Sequence, residues 1–147
     1  MAPTVVLIGS WLLLRLIGLL GVGVLDSWVF PLRGALAAMF LLTAVARLSP
    51  RRRSDLIAMV PPSLPRPALL VSITGVLEVV GAAGLLLSAT ARPAAACLAL
   101  LLVLMFPANV HAARVGGSLS GRAVTPLLPR TAMQILFAGC CVAVTLS

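Results

Sequence analysis

Five long apolar segments are the feature that most constrains this chain of 147 residues. Crossing the hydrocarbon core of a bilayer takes about 20 apolar residues in a helix, because a helix satisfies its own backbone polar groups without water. The segments cover residues 5–25, 28–48, 68–90, 93–112 and 131–146. The last one is short for a span, so we expect it to include Leu127 and Leu128 as well. The sequence thus predicts an all-α, polytopic membrane helix bundle, with residues 1–147 forming a single integral membrane domain.

Composition agrees with this class and argues against a nucleic-acid-binding protein. Hydrophobic residues make up 61% of the chain and charged residues only 10%, while the formal net charge is +8. Binding nucleic acid would need a water-exposed basic face with aromatic side chains to stack on bases, but the chain has no Tyr, four Phe and two Trp. Its partner is expected to be the lipid bilayer.

Arginine in the connections predicts how the bundle is oriented. The first segment lacks the basic leader of a signal peptide and has Arg15 inside its apolar run, so we expect a retained helix. Positive residues collect in cytoplasmic loops, and the second and fourth connections hold most of the arginines. Those arginines are Arg51, Arg52, Arg53, Arg66, Arg114, Arg122 and Arg130. The sequence therefore predicts a multi-pass membrane protein with its N-terminus cytoplasmic and its C-terminus outside.

The second connection, residues 49–67, is predicted to be a cytoplasmic strap at the membrane interface. Asp55–Val60 is expected to form a short helix capped by Ser54, and Pro61–Pro67 a stiff extended segment, because proline cannot continue a helix. The alternative is a plain solvated loop. Four arginines of the strap are candidates for contact with a partner or with anionic lipid: Arg51, Arg52, Arg53 and Arg66.

Glu78 is the acidic residue at the centre of the third segment, in TGVLEVVGAAGLLL. A charged side chain at that depth costs about 2.5–3.5 kcal/mol and indicates a functional site by default. On a helix, Val71, Thr74, Gly75, Gly81, Ala82 and Leu85 share its face, and these mostly small residues predict that the face packs inside the bundle.

Three interpretations of Glu78 stay open, of which an accidental lipid-facing position is the least favoured. The first is a structural ion pair of Arg15 with Glu78, since both lie near the centres of their segments. The second is a protonatable Glu78 that binds a polar head group or moves a proton. In the second case the candidate ligand-binding residues are Glu78, Thr74, Asn109, Gly75 and Gly81.

Catalytic and metal-binding patterns are not found. The single histidine, His111, has no Cys, acid or second His nearby in sequence, so a metal site is not expected. Cys97, Cys140 and Cys141 form no CxxC motif, and neighbouring cysteines on a helix point about 100° apart, so they are expected to pack rather than react. No enzyme class follows, and intrinsic catalytic activity is not the favoured interpretation.

Four short motifs occur together in this chain: MVPPSLPRP (Met59–Pro67), TGVLE (Thr74–Glu78), FPAN (Phe106–Asn109) and the pair Arg130 and Gln134. In combination they resemble the DoxX and DoxX-like family of small bacterial membrane proteins. The resemblance runs from about Leu32 to the C-terminus and implies a four-helix membrane bundle built from the second to fifth segments. The first segment would then be one extra N-terminal transmembrane helix. Where relatives often have Gly, two residues, His and Phe, this chain has Ala44, Arg47 and Leu48.

The resemblance also implies a location in a bacterial cell (inner) membrane and a role in a redox-linked membrane system. Relatives are associated with quinone-linked oxidoreductases, with stress complexes, or with cargo and assembly functions. The first hypothesis is an accessory subunit that binds a lipophilic ligand, with a quinone as the example, although no cofactor is certain. The second is a membrane scaffold or assembly factor whose basic cytoplasmic loop contacts a partner. Small-residue faces alone do not specify an oligomeric state.

Overall fold

A computed structural model describes residues 2–116, 118–119, 122–123 and 126–147. The helices are α1 (Ala2–Leu19), α2 (Val29–Leu48), α3 (Pro50–Ala58), α4 (Pro67–Leu86), α5 (Ala91–Leu104), α6 (Phe106–Val115) and α7 (Leu127–Leu146). A 3-10 turn spans Gly23–Leu25, and two short strands, β1 (Ser118–Leu119) and β2 (Arg122–Ala123), pair antiparallel. Apart from this two-residue pairing, the regular structure of the described residues is helical, which confirms the all-α prediction.

Five helical stretches are long and apolar enough to cross a membrane. They are α1, α2, α4, α7 and the stretch Ala91–Val115, which comprises α5 and α6. Large apolar side chains remain exposed on their outer faces, for example Val80, Leu128 and Ile135 at 62%, 83% and 68%. So much contiguous apolar surface is typical of helices that face lipid rather than water.

Four membrane-length helical stretches form a ring, with α1 attached to its outside. The most extensive packing is between α2 and α4, and α5 packs against both α4 and α7. A smaller contact between α2 and α7 closes the ring, whereas α1 packs mainly on α2. The core between the spans includes Leu36 and Phe40 of α2, Leu85 of α4 and Leu98 of α5. The architecture is therefore a bundle of four membrane-length helical stretches plus one N-terminal helix.

The first helix ends earlier than the apolar pattern predicts. It stops at Leu19 instead of continuing to residue 25. Gly21 has φ +111°, a conformation that glycine adopts without steric cost, and the chain leaves the helix there for the 3-10 turn. Apolar residues after the glycine extend the hydropathy pattern but not the helix.

The second connection also differs from its prediction. The short helix expected at Asp55–Val60 is wrong in its bounds, because α3 spans Pro50–Ala58 and has Pro50 in its first turn, where a missing N–H costs no hydrogen bond. The stretch 61–67 is not a stiff extended segment. Leu64 N donates to the carbonyl of Pro61 at 3.0 Å, which makes a turn before α4 begins.

Proline interrupts the fourth apolar segment, and the helix of the fifth segment starts early. The break between α5 and α6 falls at Met105, two residues before Pro107, whose ring and missing N–H are incompatible with a continuous helix. α7 begins at Leu127, so it includes Leu127 and Leu128 as the sequence predicts.

Close approach of α4 to α5 depends on glycine, and a matched pair of substitutions tests this. A Cβ at Gly84 would lie 2.7 Å from the Cβ of Ala94, while a Cβ at Gly139 of α7 would meet nothing within 4 Å. A methyl group cannot rotate away, so Gly84→Ala should force the two helices apart and destabilise the fold by about 1–3 kcal/mol. Gly139→Ala should change stability little. The free energy of unfolding in mixed micelles measures both, and equal effects would contradict the packing described.

Candidate functional site

Glu78 is buried in the middle of α4 and forms an ion pair with an arginine of α2. The residue is 1% exposed, and both carboxylate oxygens lie 3.1 Å from Nε of Arg47. Oγ1 of Thr43 lies 3.0 Å from Oε2, so it is placed to donate a hydrogen bond. Thr43 and Arg47 are four residues apart and thus lie on the same face of α2. One face of α2 supplies the positive charge and the hydroxyl donor for this carboxylate.

The predicted ion pair of Arg15 with Glu78 is wrong. Nη1 of Arg15 lies 3.5 Å from Oδ1 of Asp26 and donates to the main-chain carbonyl of Asp26. Because the chain turns back at Gly21, Asp26 comes beside the arginine that precedes it on α1. Arg15 and Glu78 lie at similar positions along their segments but are not neighbours, since α2 and not α1 packs on α4.

A second polar cluster connects α5, α6 and α7. Asn109 of α6 donates from Nδ2 to Oε1 of Gln134 at 2.7 Å, and Arg130 donates from Nη1 to Oδ1 of Asn109 at 2.9 Å. Gln134 donates from Nε2 to the carbonyl of Leu102. Arg130 and Gln134 are one turn apart on α7, so both face α6. The break before α6 thus carries Asn109 to a position where two side chains of α7 hold it.

Both polar clusters line one cavity, which we call the central cleft. Its volume is about 240 Å³. The rest of its wall is apolar. The lining residues are Pro3, Met39, Phe40, Thr43, Arg47, Glu78, Leu102, Met105, Asn109, Arg130, Met133, Gln134 and Phe137. The arrangement combines donors and a paired carboxylate with an apolar, Met-rich wall that can adapt its shape.

Of the predicted ligand-binding residues, Glu78 and Asn109 line the central cleft, but Thr74, Gly75 and Gly81 do not. Oγ1 of Thr74 hydrogen bonds to carbonyls of its own helix, at Leu70 and Val71.

The two glycines make room for neighbouring side chains rather than for a ligand. A Cβ at Gly75 would lie 3.3 Å from Cβ of Arg47, and one at Gly81 would lie 2.5 Å from Leu98. The prediction that this face of α4 is buried is confirmed, since Val71, Gly75, Glu78, Gly81, Ala82 and Leu85 are its buried residues.

Four predicted contact arginines have different environments. Arg51, Arg52 and Arg66 are exposed. Arg53 instead donates from Nη2 to Oγ of Ser72 at 2.8 Å and to the carbonyl of Ala68 at 3.3 Å, so it ties α3 to the start of α4. Three of the four are therefore available at the surface, and Arg53 has a structural contact.

Groups that could bind a metal are not present among the described residues, where no set of three or more His, Cys, Asp or Glu side chains comes together. The three cysteines are free thiols, and Cys141 is part of the hydrophobic core.

Sequence reasoning missed Arg47 as the partner of Glu78 and Thr43 as a donor. Arg47 occupies the last turn of α2, next to the second connection. A signal was present: Thr43 and Arg47 have helical spacing, and a buried acid in the next span needs a cation on a neighbouring helix.

The family model described as "Domain of unknown function (DUF8561)" matches residues 36–145, about three quarters of the chain, and the protein belongs to this family. The match leaves out α1 and includes every residue that lines the central cleft except Pro3. No curated protein and no solved structure matches the chain.

The Arg47–Glu78 pair makes a quantitative prediction about stability. Arg47→Met leaves a buried carboxylate without its cation, so it should destabilise the fold by about 3–5 kcal/mol. The double variant Arg47→Met/Glu78→Leu should be markedly more stable than the sum of the single effects predicts. The free energy of unfolding in mixed micelles gives the coupling energy.

Arg15 provides the control for the double-mutant cycle of Arg47 and Glu78. Arg15→Met breaks a pair in which the Asp26 side chain is 68% exposed. It should therefore lower the free energy of unfolding less than Arg47→Met does, by under about 1 kcal/mol. Its effect should add to that of Glu78→Leu, because the two residues share no partner. Coupling of Glu78 to Arg15 instead of Arg47 would contradict the pairing described here.

Proposed function

We propose that this DUF8561 protein is an accessory membrane subunit that holds a lipophilic molecule by its polar head group in the central cleft. The observation that carries the proposal is that two polar clusters from different helices, each with one buried member, Glu78 or Gln134, line one otherwise apolar cleft. Ligand sites are commonly apolar cavities in which a few polar groups converge to orient the ligand.

Cleft size supports a single-ring head group. Sites that enclose a whole drug-sized ligand measure about 300–1,000 Å³, and the central cleft has about 240 Å³. A molecule with a small head group and a long apolar tail fits this limit, because the tail can leave between helices into the hydrocarbon. A quinone is a molecule of this kind.

Charge supports a head group that accepts hydrogen bonds. The charged residues of the lining are Arg47, Arg130 and Glu78, and the single acid is already paired with Arg47. The amides of Asn109 and Gln134 add further polar groups. Carbonyl oxygens on opposite sides of a quinone ring would suit donors that come from two different walls.

The resemblance to the DoxX family supports a place in a redox-linked membrane system. We propose that the chain is a distant relative of that family and lies in a bacterial inner membrane, with its N-terminus cytoplasmic and its C-terminus outside. The arginine bias of the second and fourth connections supports this orientation. We assign no catalytic residue, and the proposed role is to bind and position.

A second candidate function is a scaffold or assembly factor. The observation that favours it is the exposure of Arg51 and Arg52 on α3 and of Arg66 just before α4, at the end of the bundle where α2 ends and α4 begins. Under this proposal the arginines contact anionic lipid or an acidic partner surface, and Glu78 serves only to hold α4 to α2.

Filling the central cleft tests the first proposal. Met133 lines the cleft, whereas Leu136 on the same helix is 42% exposed on its outer side. Met133→Trp should weaken binding of decylubiquinone by at least about tenfold because the indole occupies the cleft, and Leu136→Trp should bind like the wild type. Native mass spectrometry of the purified protein titrated with decylubiquinone measures both. Absence of binding to the wild type, or equal binding by both variants, would reject the quinone.

The scaffold proposal has its own test at the basic surface. Arg51→Gln/Arg52→Gln removes two exposed charges, each worth about 1 kcal/mol near an anionic membrane. Co-sedimentation of the protein in detergent with phosphatidylserine vesicles should fall by about tenfold or more, while decylubiquinone binding should not change. Unchanged sedimentation would argue against a lipid-binding role of this surface.

A further inference from the structure

The hydrogen bonds on the α6 and α7 side of the central cleft run in one direction. Arginine can only donate, so Nη1 of Arg130 turns the oxygen Oδ1 of Asn109 toward itself. The amide nitrogen of Asn109 then faces Oε1 of Gln134 and donates to it. Nε2 of Gln134 donates in turn to the carbonyl of Leu102, which can only accept. A pure donor at one end and a pure acceptor at the other thus determine which side of each amide is oxygen.

This direction leaves N–H groups of both amides unused. An amide nitrogen carries two hydrogens, and within the described part of the chain Nδ2 of Asn109 and Nε2 of Gln134 each donate one hydrogen bond. Both amide oxygens already accept, from Arg130 and from Asn109. Since Asn109 and Gln134 line the central cleft, this wall offers a ligand donors rather than acceptors.

Arg47 leaves donors unused on the opposite wall. Its Nε is directed at the carboxylate of Glu78, while Nη1 and Nη2 donate to no acceptor among the described residues. Neither of these terminal nitrogens is buried, and Arg47 lines the cleft. Because each terminal nitrogen carries two hydrogens, four N–H groups of this guanidinium remain for a ligand.

Acceptors on the same wall are engaged or covered. Both oxygens of Glu78 accept from Nε of Arg47, and the Glu78 side chain is 2% exposed against 20% for Arg47. Thr43 directs its single hydroxyl hydrogen at Oε2 of Glu78 or at the carbonyl of Phe40, although its oxygen can still accept. The methionine sulfurs of the wall accept only weakly. The side chains that line the cleft therefore offer a ligand many more donors than acceptors.

We propose that the central cleft selects the oxidised form of its ligand and binds a quinone in preference to the corresponding quinol. This inference rests on the function proposed above and adds the oxidation state of the head group. The two carbonyl oxygens of a quinone only accept, so they complement the unused N–H groups of Arg47, Asn109 and Gln134. The two hydroxyl groups of a quinol each carry a hydrogen that needs an acceptor. A hydroxyl that leaves water without finding one weakens binding.

The proposal gives the two members of the ion pair different roles. The guanidinium of Arg47 contacts the head group. Glu78, which has almost no exposed surface, is a positioning residue that holds Arg47 by Nε and leaves its terminal nitrogens toward the cleft.

Separate titrations with the two forms of one ligand test the selection. The full chain in detergent is titrated under anaerobic conditions with decylubiquinone or with decylubiquinol, and native mass spectrometry gives the two dissociation constants. The wild type should bind the quinone about tenfold or more tightly, the effect of one unsatisfied hydroxyl donor. A tenfold preference should also lower the midpoint potential of the bound two-electron couple by about 30 mV relative to the free couple in the same detergent.

Two variants change the donors of the cleft. Asn109→Asp replaces a donor by an acceptor of nearly the same shape, and its carboxylate can still accept from Arg130. It should reduce the preference for the quinone by about tenfold. Arg47→Lys keeps a cation for Glu78 but removes the forked donors, so it should weaken quinone binding by about tenfold and quinol binding less.

Arg53→Lys is the matched control for Arg47→Lys. Arg53 lies outside the cleft, and a lysine at this position can still donate to Oγ of Ser72. The control should show the dissociation constants of the wild type for both forms of the ligand. If Arg47→Lys does not fold, Asn109→Asp decides the question.

The outcomes separate this inference from the function on which it rests. A wild type that binds neither form rejects the quinone-binding function, and the selection fails with it. Equal binding of both forms, or tighter binding of the quinol, leaves that function in place and overturns the selection of the oxidised form. A preference that persists in both Asn109→Asp and Arg47→Lys, or that is lost equally in Arg53→Lys, overturns it as well.

Discussion

A carboxylate in the middle of a membrane-length helix needs a cation, and in this protein the cation comes from the adjacent helix. Glu78 is held by Arg47, whose Nε lies 3.1 Å from both carboxylate oxygens. Breaking such a buried pair lowers the folding stability much more than breaking an exposed pair does, because the charge left behind cannot reach water. The pairing therefore fixes both the neighbour and the register of α4 against α2, which is the most extensive helix contact in the bundle. Gly75 permits it, since a side chain there would crowd the Cβ of Arg47.

The central cleft follows from that register and from the break at Met105. Turning Thr43 and Arg47 toward α4 also turns the preceding turn of α2, with Met39 and Phe40, toward the same cavity. On the opposite wall, the helix that resumes at Phe106 brings Asn109 against two side chains of α7. Pro107 thus helps to place Asn109 against α7. Without the break, α5 would continue on a straight axis.

The sequence was sufficient for the class of fold and for the buried face of α4, since hydropathy and helical spacing report directly on both. It also identified Glu78 and Asn109, which line the central cleft. It did not identify Arg47, and it assigned Thr74, Gly75 and Gly81 to a ligand when they contact protein. Periodicity shows which face of a helix is buried but not which neighbour covers it, and the groove beside Gly81 is filled by Leu98. The predicted pairing of Arg15 with Glu78 was wrong for the same reason, because the turn at Gly21 brings Asp26 closer to Arg15.

Eleven arginines and three acids leave most guanidinium groups without a carboxylate, so the fold has to satisfy them with neutral acceptors. Main-chain oxygens at helix ends do part of this: Arg33 bonds to Leu85 in the last turn of α4, and Arg92 bonds to Ser147, the last residue of the sequence, after α7. Both contacts place positive charge at helix C-termini, where unpaired carbonyls and the helix dipole favour it. The carbonyl of Leu85 satisfies the Arg33 donor but does not neutralise its charge. Positive charge is also in excess in the central cleft, where two arginines line the wall beside one acid. The central cleft is therefore better suited to ligands that accept hydrogen bonds or carry negative charge than to cations.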